Sequence, residues 1–249
     1  MTALGGDELS ALWSALGARL SRPAAILAVS AHWTTHLPVL TGGAQPDTIH
    51  DFGGFPAELY RLRYPAPGDP GLAQRIKQSL TAAGIATGID ATRGLDHGAW
   101  VPLRWLFPSA DIPVLQLSVQ PERCARHHLA LGAALAPLSR ENILIVASGH
   151  MTHNLRDWMS PQGPRPSDAS RSFREHVHAH LMAGDRDPLL DWEHAIPGAR
   201  AAHPTPEHFL PLFVALGAAG ENPRTEWLGG GWVGDALAAD NYLFEASPG

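Results

Sequence analysis

Three short, almost wholly apolar runs constrain this chain more than any other feature. They are Ala25–Ser30 (AILAVS), Pro113–Val119 (PVLQLSV) and Asn142–Ser148 (NILIVAS). Each is far shorter than the roughly 20 residues of a membrane helix and is nearly all apolar. Such runs fit strands covered on both faces. Covered strands need helices, and the sequence supplies them. Residues 7–20 set Leu9, Leu12, Trp13, Leu16 and Leu20 on one face before Arg22-Pro23 ends the pattern. Further helical patterns occupy 70–83, 98–107, 122–136 and 168–183. The alternation predicts an α/β fold, a single domain over 1–249 with a largely parallel or mixed central sheet flanked by helices. Residues 157–168, with three prolines, read as a loop. Residues 205–219 read as a helix capped by Thr205, with Pro206 at its first position and a bend at Pro211. The glycine-rich 229–234 reads as a turn ahead of a last strand near 235–244.

With 249 residues, 45% of them hydrophobic, the chain can bury a sizeable core and is not a disordered polymer. No apolar run of about 18 residues and no signal-peptide pattern occur, so a membrane is not an expected partner. Net charge is −6, and of the 18 basic residues only Lys77 is a lysine. No basic block marks a nucleic-acid surface. The single cysteine, Cys124, cannot form an internal disulfide, which points to a reducing cytoplasm. No Gly-x-Ser-x-Gly elbow marks a serine hydrolase. The outlying number is fourteen histidines.

In open α/β sheets, chemistry gathers at the carboxyl ends of strands. His32 follows the first apolar run (AVSAHW) and His153 follows the third (IVASGHMTHNL), while His208 lies in the first turn of the helical pattern that begins at Thr205. Three imidazoles from separate segments suit zinc or iron and leave positions open for substrate or water. Ordinary buried histidines bonded to backbone explain the same positions. Two further segments read as site loops. Residues 49–56 (IHDFGGFP) join His50 and Asp51 to two glycines, and residues 94–100 (GLDHGAW) put Asp96 and His97 ahead of a helix. A histidine there is either a general acid/base or a helix-terminal residue bonding a carbonyl. His176, His178 and His180 lie on one helix beside Arg171, Arg174 and Glu175 and read as a solvated face.

The ordered motifs SAHW (30–33), IHDFGGFP (49–56), YPAPGDP (64–70), DHGAW (96–100), ASGHMTHNL (147–155) and HPTPEHFLPL (203–212) resemble the DODA-type (4,5-DOPA extradiol dioxygenase-like) ring-cleavage dioxygenases of the class III extradiol superfamily. The resemblance covers roughly residues 7–220. It implies an α/β fold with one divalent metal ion, Fe(II) or Zn(II). By motif, His32 and His153 correspond to metal ligands, His208 lies at or near the metal, and His97 is the acid/base. His50, Asp51, Asp96 and His150 are candidates for supporting or substrate-binding roles. Relatives more often carry Asn or Ser where this chain has His150. The implied reaction inserts both atoms of O₂ into a small catechol and opens the ring. The family pattern also begins with a strand ending in His-Gly-Ser-Pro-Met, its histidine a further ligand. Here Met1 falls at that methionine, so the expectation is a missing first strand and ligand, from a start assigned too far downstream or a true truncation. Two alternatives accompany this reading: a zinc hydrolase on the same histidines, and a catalytically impaired binding protein.

Overall fold

A computed structural model describes residues 2–160 and 163–246. Met1, and Pro161 and Gln162 of the 157–168 loop, lie outside the described residues. The chain divides into two compact units, Met1–Gln120 with Ala134–Ser148, and Pro121–Ala133 with Gly149–Gly249.

The first unit holds a five-stranded sheet made of β1 (Ala25–Thr34), β2 (Val39–Thr41), β3 (Gly88–Asp90), β4 (Val114–Val119) and β5 (Ile143–Ser148) in the order β3-β2-β4-β1-β5. The three apolar runs are its β1, β4 and β5. Strand β1 is parallel to both neighbours, with Ile26 opposite Val114 and Leu144, while β2 runs antiparallel to β4 and parallel to β3. This is the mixed α/β sheet the sequence predicts. Every residue of β4 and the first seven of β1 are buried, as strands covered on both faces require. Its helices are α1 (Glu8–Arg19), α2 (Pro70–Ala82) and α3 (His97–Leu106). Each starts on an aspartate that accepts a backbone N–H of its first turn: Asp7 from Ser10, Asp69 from Leu72 and Asp96 from Ala99. The core joins Ile26, Ala28 and Val114 of the sheet to Trp100 and Leu103 of α3.

The second unit is mainly helical. It contains most of α4 (Ala125–Leu135), then α5 (Leu155–Trp158), α6 (Asp168–Ala183), α7 (Asp187–Leu190), α8 (Trp192–Ala195), α9 (Ala199–Ala202) and α10 (Leu210–Ala218). Two small antiparallel pairs complete it, β6 (Arg224–Gly229) with β9 (Asn241–Glu245), and β7 (Trp232–Val233) with β8 (Leu237–Ala238). Phe173, Val177, Trp192, Phe209 and Phe213 form its core. No helix among the described residues is long and apolar enough to cross a membrane.

Two local expectations need correction. The helix expected over 205–219 begins only at Leu210. Thr205 does not cap it, because its hydroxyl donates to the Glu207 carboxylate at 2.8 Å. Pro211 therefore falls in the first turn, where a missing N–H breaks no helical bond, and bends nothing. The last strand is Asn241–Glu245 instead of 235–244, since Leu237–Ala238 turns back onto Trp232–Val233.

Candidate active site

Within the first unit, His32 lies where β1 loses its regular pairing. The register against β4 shifts between Val29 and Thr34. Such irregularities re-aim side chains at strand ends. Helix α3 is fastened to this point by Asp96, whose side chain is fully buried. Its carboxylate accepts from the Ser30 hydroxyl at 2.7 Å and from the Gln116 amide, and pairs with Arg93 at 3.4 Å. The Asp96 backbone N–H donates to Gln116 Oε1 at 3.1 Å. Gly98 permits the approach: a Cβ there would stand 2.3 Å from Ser30 Oγ and 3.0 Å from His32 Cδ2. The result is a close ring pair, with the His32 and His97 centroids 3.9 Å apart.

Asp51 reaches this pair from the 49–56 loop. It accepts from the His97 backbone N–H at 3.0 Å and from His97 Nδ1 at 2.9 Å, and lies 3.8 Å from His32 Nδ1. Burial opposes its charge, but the bonds and charge of His97 outweigh burial and hold the carboxyl at about 2. The loop is tied to α3 by the Trp100 indole, which donates to the Ile49 carbonyl at 2.8 Å. His50 is used differently: its Nε2 meets the Leu62 carbonyl at 3.0 Å. Phe52 stands edge-on to His97 at 5.5 Å and packs against Tyr60 at 5.4 Å.

Within the second unit, Gly149 plays a part like that of Gly98. A Cβ there would lie 2.1 Å from the His208 carbonyl. The backbones instead touch, with His150 N–H donating to that carbonyl at 3.0 Å and His153 N–H to the Ala202 carbonyl at 2.8 Å. The rings of His153 and His208 stack at 3.5 Å with an interplanar angle of 14°, and His150 stands 5.5 Å from each. The Glu207 carboxylate joins them, so that donor atoms of His153, Glu207 and His208 lie within 4.8 Å of one another. Burial pushes the pKa of His153 down, against the opposing charge of Glu207. Behind this group His203 is enclosed by Phe173, Trp192 and Phe209, and its Nε2 meets the Met151 carbonyl at 2.9 Å. Burial lowers its pKa to about 3.

The anticipated residues thus fall into two groups. His32, Asp51 and His97 share one, with Asp96 fastening its helix. His153, His208 and His150 share the other, and Glu207 is a donor that the sequence reading overlooks. Its Pro-Glu-His setting resembles the acidic first turn of an ordinary helix, so nothing in the spacing marks it. Both groups place three potential ligand atoms together. The helix histidines do not: His176 Nδ1 contacts the Ser172 carbonyl at 2.7 Å and His180 pairs with Asp185 at 3.0 Å.

Residues 11–245 match the family model described as the catalytic LigB subunit of aromatic ring-opening dioxygenase. The chain belongs to that family. It is a metal-dependent, extradiol ring-cleaving dioxygenase acting on an aromatic substrate and O₂. Among curated relatives of this dioxygenase, a 4,5-DOPA dioxygenase extradiol from Beta vulgaris is 44% identical over 91% of this chain and 84% of its own length. One of the same name from Escherichia coli K12 is 44% identical over 86% of this chain and 79% of its own. The crystal structure of an uncharacterized protein from Escherichia coli K12 superposes with a TM-score of 0.78 at 35% identity, covering 94% of this chain and 91% of that one. Neither the hydrolase nor the binding-protein alternative finds support in these matches.

Proposed function

We propose that this dioxygenase opens the ring of a small catechol, with His97 as the acid/base and His32, His153 and His208 as metal ligands. What carries the reading is the division of labour among its imidazoles. One is bound through Nδ1 to an ionised carboxylate, and two others are stacked beside a glutamate. Nitrogen and carboxylate donors without thiolate suit Fe(II) or Zn(II), and burial favours the neutral imidazole that a metal requires. Glu207 is a further donor for this ion. His32 takes its role from its place in Ser-Ala-His-Trp. A bound Fe(II) supplies the redox chemistry by which both atoms of O₂ enter the ring.

The chain's own residues supply proton transfer and placement. Asp51 is ionised and can only accept, so Nδ1 of His97 is the donor in their bond and Nε2 is its basic atom. Nε2 takes the proton of a catechol hydroxyl, and the adjacent carboxylate stabilises the imidazolium that forms. Phe52 and Tyr60 offer aromatic surface beside that ring for a planar substrate. The catechol assignment is supported by the relatives named 4,5-DOPA dioxygenase extradiol. The family match runs through both units, and we take the whole chain as one catalytic domain. A cytoplasmic setting accords with the lone free thiol of Cys124.

Oxygen uptake tests the function. Protein reconstituted anaerobically with Fe(II) is expected to consume one O₂ per catechol and form a yellow ring-opened product. Metal-loaded protein that consumes no O₂ with any of a panel of catechols, DOPA included, refutes it.

A further inference from the structure

Asp51 is placed to do more than bind one histidine. Its Oδ1 accepts two bonds from His97, one from the backbone N–H and one from Nδ1, at 3.0 and 2.9 Å. Its Oδ2 faces Nδ1 of His32 at 3.8 Å. The two rings are tilted by 43° with centroids 3.9 Å apart, so one carboxylate addresses the same atom type on both. We infer that Asp51 is a positioning residue that fixes His97 as its Nδ1–H tautomer, directing Nε2 away from the carboxylate, and whose second oxygen sets a negative charge beside His32 without a hydrogen bond to it.

The alternative use of this group is as a three-donor metal site in its own right. Hydrogen bonding argues against it. Oδ1 already accepts from two N–H groups, and Nδ1 of His97 carries the proton that bonds it, so neither atom is available as a ligand without breaking this arrangement. A carboxylate bonded to the far nitrogen of an imidazole is instead the usual means of fixing ring orientation and raising the basicity of the other nitrogen. The loop that carries Asp51 is anchored for this task. The buried Trp100 indole holds the Ile49 carbonyl, so the carboxylate is referenced to the same helix that begins with His97. The catalytic side of the inference rests on the proposed role of His97; the tautomer assignment does not.

The test therefore begins without metal or substrate. Long-range ¹H–¹⁵N spectra of metal-free protein labelled at histidine, taken at about pH 8 where unperturbed imidazole is neutral, report each tautomer directly. In the native protein His97 is expected as the Nδ1–H form. Asp51→Asn keeps an oxygen acceptor and is expected to keep that tautomer. Asp51→Ala is expected to release the His97 ring toward the Nε2–H form that imidazole prefers in water. Asp51→Ala should lower kcat roughly 10–100-fold with KM little changed, and retain stoichiometric metal. The ionised carboxylate contributes to stability, so the variants are expected to melt somewhat below the native protein, and the spectra are taken well below each midpoint. Native His97 in the Nε2–H form, or tautomers unmoved in Asp51→Ala, overturns the inference. Abolished metal binding in Asp51→Asn with unmoved tautomers also overturns it and makes Asp51 a ligand. Tautomers that respond as described in a protein inactive toward every catechol uphold the positioning role and defeat only the proposed substrate.

Discussion

The two histidine groups are built on opposite principles. In the first unit, two imidazoles and a carboxylate keep about a quarter of their side-chain surface in contact with solvent, and hydrogen bonds and charge organise them. In the second, His153 and His208 stack face to face, His208 is 5% exposed, and backbone contacts through Gly149 set their positions. Hydrated, charge-paired imidazole can carry a proton in and out. Desolvated imidazole stays neutral, the form that ligates metal. Under the proposed roles His97 of the first group handles the proton and His153 and His208 of the second hold the metal, while His32 ligates from the more hydrated group, so environment alone does not assign the task.

The sharpest way to break this contrast is to remove one member of each group. His153→Ala or His208→Ala is expected to abolish stoichiometric metal binding and activity together. His97→Ala is expected to retain the metal while kcat falls about 10²–10⁴-fold. Elemental analysis beside oxygen uptake decides the matter, and equal metal loss in His97→Ala would erase the distinction.

Acid offers a second separation. Desolvation lowers the pKa of the buried His128 to about 4 and that of His203 to about 3, both in the second unit. Groups depressed on folding stabilise the native state above the unfolded value near 6.5. That contribution is lost as pH falls toward their folded values. Between pH 6.5 and 5 the loss is on the order of 2 kcal/mol for each. Asp51 behaves differently, for its contribution persists down to the ordinary carboxylate value of 3.8 and is lost as pH falls to about 2. Hydrogen exchange near pH 5 should therefore show α4 and α9 losing protection before β1 and β4. Simultaneous loss in both units would contradict this.

The smallest expected effects come from the two glycines. Gly149→Ala drives a methyl into a backbone carbonyl that cannot turn aside and is expected to destabilise by roughly 1–3 kcal/mol. Gly98→Ala meets first the Ser30 hydroxyl, which can turn aside only by giving up its bond to Asp96, so about 1–2 kcal/mol is expected. Urea midpoints measure both, and a larger loss at Gly98 would reverse the ranking.

Much of this architecture is legible before folding. The three apolar runs are legible as strands, but only β1 and β4 are buried as expected, β5 being buried only at Ile143, and His32 and His153 stand out because each follows one. Asp96 and His97 are readable as residues just ahead of a helix, which in the structure begins at His97 with Asp96 as its cap. Strands β2 and β3 are not readable, because three residues are too few to display alternation or a sustained apolar run. Thr-Pro-Glu has the composition of a helix start and points to Thr205, whereas Thr205 turns to Glu207 and α10 begins at Leu210. Pairings such as Asp51 with His97 span 46 positions of sequence and exist only once α3 is docked. Nothing in local composition foretells them.

The bond between Trp100 and Ile49 has a consequence for how this enzyme can be altered. It fixes the stem of the 49–56 loop, while a Cβ at Gly53 further along would meet nothing within 4 Å. The loop thus has a tied root carrying Asp51 and a looser tip where Phe55 is exposed. Changes at the tip can therefore accumulate without disturbing the bond between Asp51 and His97.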